Sequence, residues 1–243
     1  MARNAEQAEK TLTENEALDR LPHSLPNDPM HWADAWLKEA TAANIRANPN
    51  SMTIASVGPD NQPSARVVLC KNLVPDPGYL VFYTNYRSRK ALELAANPKA
   101  AALFHWDALG RQIRIEGLVV RSPASESDEY FASRDWGSQL GAWGSDQSEP
   151  VPSKDALVRQ IRERGAALGL SLSDGTQSLT DENIPPIARP AHWGGFRLWA
   201  NAIELWISGA DRIHDRGRWT RDIMRTSGDK FTTTPWLGSR LQP

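Results

Sequence analysis

The sequence predicts a mainly β fold, an antiparallel barrel with peripheral helices. Two observations carry this. Strand-like runs follow one another in hairpin succession at 51–57, 64–71, 79–84, 99–106 and 111–121, parted by turn residues. Helical patterns interrupt this series without alternating with every strand, so a parallel sheet is not indicated. No internal repeat is present.

Each element has its own reason. Residues 1–28 read as a flexible polar arm ending in Pro26-Asn27-Asp28-Pro29. Asp28 can cap a helix whose first position is Pro29. The pattern is helical over 30–47, with Trp32, Ala35, Trp36, Ala40 and Ala43 on one side, and Asn48-Pro49-Asn50 stops it. Gly58-Pro59-Asp60-Asn61 turns the chain between the first two strands. A short helix at 88–96 ends at Asn97-Pro98. Asp107-Ala108-Leu109-Gly110 joins the strands 99–106 and 111–121. Ser125 opens a helix to 134 with acidic residues in its first turn, and further helices are expected at 138–143 and 154–168. Residues 169–190, rich in Ser, Asp, Gly, Thr and Pro, read as a surface loop inserted into the domain. Strands are expected at 195–199, 203–208, 218–222 and 231–241. A single domain over 29–243 follows, long enough for a sizeable core.

Composition narrows the function. The longest apolar runs, such as 100–104 and 80–83, fall far short of the roughly 20 residues of a membrane span. The N-terminal stretch lacks an apolar signal core. The single cysteine, Cys70, excludes an internal disulfide and suits a reducing cytoplasm. A net charge of −1 gives no basic field for nucleic acid. Arginine is nevertheless locally clustered, which suits selective anion recognition. Dinucleotide, P-loop and zinc-protease motifs are absent, and Ser, His and Asp show no triad spacing.

Four clusters carry chemistry. In Arg66-Val-Val-Leu-Cys-Lys71 two cations bracket an apolar strand. Their odd spacing puts them on opposite faces, so a bulge or a strand end is needed for both to reach one ligand. In 83–90, Tyr83 and Thr84 are followed by Arg87, Arg89 and Lys90 where a strand gives way to a helix. Free N–H groups and cations there make a phosphate site. The third cluster runs from Arg111-Gln112-Ile113-Arg114-Ile115-Glu116 through Tyr130 and Arg134 to Ser138, Gln147 and Ser148. Gln112 offers donor and acceptor together, as the imide edge of a flavin or pterin requires, and an ordinary solvated face remains open. The fourth holds Trp193-Gly194-Gly195-Phe196, Trp206 and Arg212-Ile213-His214-Asp215-Arg216. Period-two spacing puts Arg212, His214 and Arg216 on one side of a strand end. A lone His without a second His or Cys nearby argues against a metal.

Taken in order, RVVLCK, VFYTNYRSRKALEL, NPKAAALFHW, RQIRIEG, ESDEYFASR, SQLGAWGSDQS, HWGGFRL, IELW, RIHDR and the closing RLQP resemble the pyridoxine/pyridoxamine 5'-phosphate oxidase family over about residues 28–243. The resemblance implies an FMN-binding split β-barrel that pairs into a homodimer. By motif match, Arg66, Lys71, Tyr83, Thr84, Arg89 and Lys90 would hold FMN, together with Gln112, Gln147, Ser148, Trp206 and Arg216. Lys71, Tyr130, Arg134 and Ser138 would hold the substrate phosphate. Arg212 and His214 would flank the pyridine ring as the catalytic pair. The implied reaction oxidises pyridoxine 5'-phosphate and pyridoxamine 5'-phosphate to pyridoxal 5'-phosphate. Dioxygen is the acceptor, and the products include hydrogen peroxide, with ammonia from the amine.

The chain departs from the family pattern in the arm, at Asp135-Trp136, in the longer loop 169–190, at Gly217 and over 226–235. Two other readings stand beside this one. One is a related FMN oxidase with another substrate, such as a phenazine precursor. The other is a non-catalytic flavin- or pyridoxal-phosphate-binding module, which would bind ligand but yield no peroxide.

Overall fold

The computed structural model describes residues 20–170, 186–228 and 230–243. The expected arm over 1–19 and most of the expected loop, 171–185, lie outside the described residues. Helix α1, Pro29–Ala42, begins as the sequence requires. The Asp28 carboxylate accepts from the Met30 N–H at 2.8 Å, and Pro29 occupies a position that needs no N–H. Its inner stripe of Met30, Ala33, Trp36 and Ala40 is buried.

The strands are β1 Ser51–Val57, β2 Pro63–Leu69, β3 Asn72–Val74, β4 Tyr79–Asn85, β5 Lys99–Trp106, β6 Arg111–Arg121, β7 Trp193–Ile207, β8 Asp215–Thr220 and β11 Leu237–Leu241. They form one nine-stranded sheet in the order β11-β8-β7-β6-β5-β1-β2, with β4 on β7 and β3 beyond β4. Between them lie α2 Arg89–Ala96, α3 Ala124–Ala132, α4 Trp136–Gly144 and α5 Lys154–Ala167. All pairings are antiparallel. β1 shows how the sheet makes a core: alternation buries Met52, Ile54 and Ser56 on its inner face. Phe82, Phe104, Ile113, Ile115, Leu198 and Leu205 from neighbouring strands complete that core.

β7 is the spine. β6 runs along one edge of it, while β4 pairs with its first half and β8 with its second. The two strands expected at 195–199 and 203–208 are therefore one. A bulge disguises this in the sequence: pairing shifts from Glu116 opposite Ala202 to Gly117 opposite Ala200, which leaves Asn201 without an opposite residue. A Cβ on Gly117 would stand 1.8 Å from the Trp199 carbonyl oxygen, so the close approach demands glycine.

Three further differences appear. β3 was not expected, because three residues are too few to show alternation. The single strand expected at 231–241 is two, β10 Lys230–Thr233 and β11, parted at Pro235; β10 pairs with β9 Ile223–Ser227 in a separate hairpin. The expected strand at 218–222 begins earlier, at Asp215. Residues 20–28, the described part of the arm, lie against β8 and β11. Leu21 is buried and its N–H donates to Asp215 at 2.8 Å, while Trp219 Nε1 donates to the Pro26 carbonyl at 2.8 Å.

Candidate active site

A cleft of about 680 Å³ opens beside β2 and β4, a size usual for small-molecule sites. Arg66 and Lys71 both line it. The strand end reconciles them: β2 stops at Leu69, the chain turns through buried Cys70, and Lys71 emerges on the cleft side. Burial pushes the Cys70 thiol up to about 12, so it is an inert core group.

The turn from β4 into α2 builds the first half of the cleft. Asn85 accepts from the Arg87 N–H at 2.8 Å, and its carbonyl accepts from the Ser88 hydroxyl at 2.7 Å. Lys90 is thereby turned inward and is 8% exposed. Its Nζ donates to Thr84 Oγ1 at 3.0 Å and to Gln147 Oε1 at 2.8 Å. No carboxylate pairs with it among the described residues. Burial lowers its pKa to about 8, the charge of Arg66 adds to this, and Glu93 opposes it.

The second half gathers Lys71, Tyr130, Arg134 and Ser138. Tyr83 stacks on Tyr130 at 4.0 Å and on Trp193 at 5.5 Å, and the Arg134 guanidinium lies over the Trp193 ring at 4.6 Å. Lys71 Nζ sits 5.6 Å from the Tyr130 ring. Arg134 Nη1 is buried with no hydrogen-bond partner. Burial lowers the Arg134 pKa, and it raises that of Tyr83, with the nearby Glu126 carboxylate adding to the rise. Arg134 lines the polar cleft, and an anion bound there could satisfy its orphaned N–H group. Asp135, one of the departures from the family pattern, lies on the rim, where its carboxylate caps α4 by accepting from the Ser138 N–H at 2.8 Å.

Arg89 and Ser148 line a neighbouring cleft of about 400 Å³ instead. Glu93, 5% exposed, lines that smaller cleft and was not singled out from the sequence. Its only sequence signal is the i, i+4 spacing from Arg89. Trp193 was seen without a role, because its partners lie far off in sequence.

Gln112, Trp206, Arg212, His214 and Arg216 form another group that does not line these clefts. Gln112 stands opposite Trp206 in the sheet, the Trp206 and His214 rings lie 4.6 Å apart, and Arg216 pairs with buried Glu204 at 2.8 Å. The expected strand face for Arg212, His214 and Arg216 is corrected. Arg212 belongs to a 3₁₀ turn, Ala210–Arg212, with φ 65°, and β8 starts only at Asp215. Two left-handed residues, Asp211 and Arg212, break the alternation that the spacing suggested.

The donor set fits a phosphate-bearing flavin and a second anion. Lys90, Thr84, Gln147 and Arg66 suit one phosphate; Lys71, Arg134, Tyr130 and Ser138 suit another.

Comparison with known proteins gives the family. Residues 37–166 match the family described as pyridoxamine 5'-phosphate oxidase, and residues 193–243 match the pyridoxine 5'-phosphate oxidase C-terminal dimerisation region. A pyridoxine/pyridoxamine 5'-phosphate oxidase of Burkholderia vietnamiensis is 46% identical over 89% of each chain. The structure of PhzG from Burkholderia lata, in complex with tetrahydrophenazine-1-carboxylic acid, is 28% identical with a TM-score of 0.71, covering 90% of this chain and 94% of that one. A pyridoxamine 5'-phosphate oxidase-related, FMN binding protein from Nostoc punctiforme shares the fold at 15% identity and a TM-score of 0.61, over 88% of this chain and 97% of that one. With two family regions matched in order on a mainly β split barrel, the chain belongs to the pyridoxine/pyridoxamine 5'-phosphate oxidase family.

Proposed function

We propose that the protein uses FMN to oxidise pyridoxine 5'-phosphate and pyridoxamine 5'-phosphate to pyridoxal 5'-phosphate. The observation that carries this is the orphaned Nη1 of Arg134, in a cleft that also holds a separate cationic group around Lys90. Two groups of anion donors in one cleft suit a cofactor phosphate and a substrate phosphate.

FMN, when bound, supplies the acceptor for two electrons and passes them to dioxygen, giving hydrogen peroxide. The chain's residues do the rest. Lys90, Thr84, Gln147 and Arg66, with Arg89 and Ser148, hold the flavin phosphate; Tyr83 and Lys71 border the same cleft. Lys71, Arg134, Tyr130 and Ser138 hold the substrate phosphate. The stacked rings of Tyr83, Tyr130 and Trp193 stiffen that wall, which turns phosphate binding into orientation. Gln112, Trp206 and Arg216 would reach the flavin, and Arg212 and His214 the pyridine ring, from a second copy. The separation of that group from the cleft within one chain supports a homodimer. So does the match of residues 193–243 to a dimerisation region.

The likeness to PhzG favours a second reading, an oxidase of a reduced phenazine acid. One experiment separates them. Protein loaded with FMN is mixed with each phosphorylated vitamer, with unphosphorylated pyridoxine, and with a reduced phenazine-1-carboxylic acid, and peroxide is followed. Turnover confined to the phosphorylated vitamers is expected. Turnover only of the phenazine acid would overturn the proposal, and flavin uptake with no peroxide would leave a binding module.

A further inference from the structure

Glu93 lines the smaller cleft, and its carboxylate binds an arginine from each cleft. Its Oε2 accepts from the Ser56 hydroxyl at 2.6 Å, from the Ser64 hydroxyl at 2.6 Å and from Arg66 Nη2 at 3.0 Å. Its Oε1 accepts from Arg89 Nε at 2.8 Å. Arg66 lines the larger cleft and Arg89 the smaller. Arg66 is steadied further by donating to the Ser56 hydroxyl at 2.6 Å and to that of Ser64. Burial alone would push the carboxyl up, but the hydrogen bonds from Ser56, Ser64, Arg89 and Arg66 outweigh it and hold the pKa at about 2.

We infer that Glu93 is a positioning residue, which fixes the Arg66 and Arg89 forks on either side of Lys90 so that the two clefts act as one cradle for a single phosphate. The inference rests on the FMN reading. The geometry argues for it in three ways. Four donors already hold this buried carboxylate, so its work is internal. Arg66 and Arg89 reach it from different elements, and among the described residues it is the one carboxylate that joins both forks. Arg66, Arg89 and Lys90 also crowd one helix N-terminus, where cations are disfavoured, and a buried counter-charge is what lets them stay together before an anion arrives.

Positioning and simple electrostatics predict opposite signs, which makes the test sharp. Removing a negative charge beside the cradle should tighten an anion if only field strength matters. It should weaken the anion if alignment matters. Flavin-free protein is titrated with FMN and, separately, with riboflavin, following the quenching of flavin fluorescence. Glu93→Gln keeps the shape and removes the charge. It is expected to raise the Kd for FMN roughly ten- to hundredfold and to leave that for riboflavin unchanged, because riboflavin lacks the phosphate. An unchanged or tighter FMN Kd would overturn the inference. Should thermal melting show that Glu93→Gln does not fold, Ser64→Ala decides. It keeps both charges and removes one donor. A weaker FMN Kd with riboflavin unchanged supports the inference, and an unchanged FMN Kd overturns it. Wild-type protein that takes up neither flavin overturns the cofactor reading, and this inference with it.

Discussion

The guanidinium carbon of Arg134 sits over the Trp193 ring, 4.6 Å from its centre, and its Nη1 is buried without a partner. The indole face packs against the fork without taking up its N–H groups. Arg134→Ala is therefore expected to raise KM for pyridoxine 5'-phosphate while FMN is retained. Losing one charge-assisted contact costs about 1.5 to 3 kcal/mol, or roughly ten- to hundredfold. Steady-state kinetics beside a flavin spectrum checks this; flavin loss ahead of any change in KM would show that the two phosphate groups are wrongly divided.

Asp135 places a carboxylate beside that clamp, and hydrogen bonds from Ser138 hold it below the usual carboxylate range. Asn caps helices as well as Asp does. Asp135→Asn should thus keep α4 and remove a like charge next to the substrate phosphate. A modest fall in KM is expected, largest at low salt because the group is exposed. A rise in KM would mean that Asp135 aids binding.

Lys90 makes flavin uptake depend on pH. An anion prefers the charged ammonium, and burial has brought the Lys90 pKa down to about 8. Thr84, Ser88 and Gln147 touch its Nζ, with Arg66 and Glu93 the charges nearby. FMN affinity should be full below about pH 8 and fall as the pH rises through it. Lys90→Arg, whose group stays charged, should flatten that profile. The same fall in riboflavin affinity would place the titrating group elsewhere.

Arg212 and His214 give a test of mechanism and assembly together. Arg212→Met keeps the stem and removes the fork. It should lower kcat/KM strongly while the flavin spectrum stays normal, with His214→Asn milder because Asn still hydrogen-bonds. Rapid mixing without oxygen isolates flavin reduction; unchanged rates in both variants would make these residues structural. Sedimentation of the loaded protein should give a dimer, and an active, flavin-loaded monomer would refute the shared site.

Gly117→Ala probes the bulge. The added Cβ would meet backbone, not a movable side chain, 1.8 Å away. The loss should exceed about 3 kcal/mol, at the severe end for a point change. Thermal melting that matched wild type would mean that β6 and β7 part easily there.

Local chemistry was readable and distant chemistry was not. Asp28-Pro29 announced α1 because cap and first turn are neighbours in the chain. The cations at 87–90 announced an anion site because the strand-to-helix turn is local. Asn201 hid the continuity of β7, since a bulge spoils a period of two without any turn residue. Arg212-x-His214-x-Arg216 looked like a strand because positive φ leaves no mark on Asp or Arg. Glu93 and Trp193 were silent for another reason: their partners, Ser56, Ser64 and Arg134, come from distant segments that only folding joins.

The larger cleft also bears on how long the polypeptide lasts. Lys71, Lys90 and Arg134 all line it, with no carboxylate ion-paired to any of them among the described residues. A bound anion would supply the counter-charge that they lack. Anything that binds only the folded chain shifts its unfolding by mass action, about 2.7 kcal/mol at a hundred times Kd. The melting temperature should therefore climb with the supply of ligand, and in a cell short of flavin the empty chain would be the first to reach the proteases.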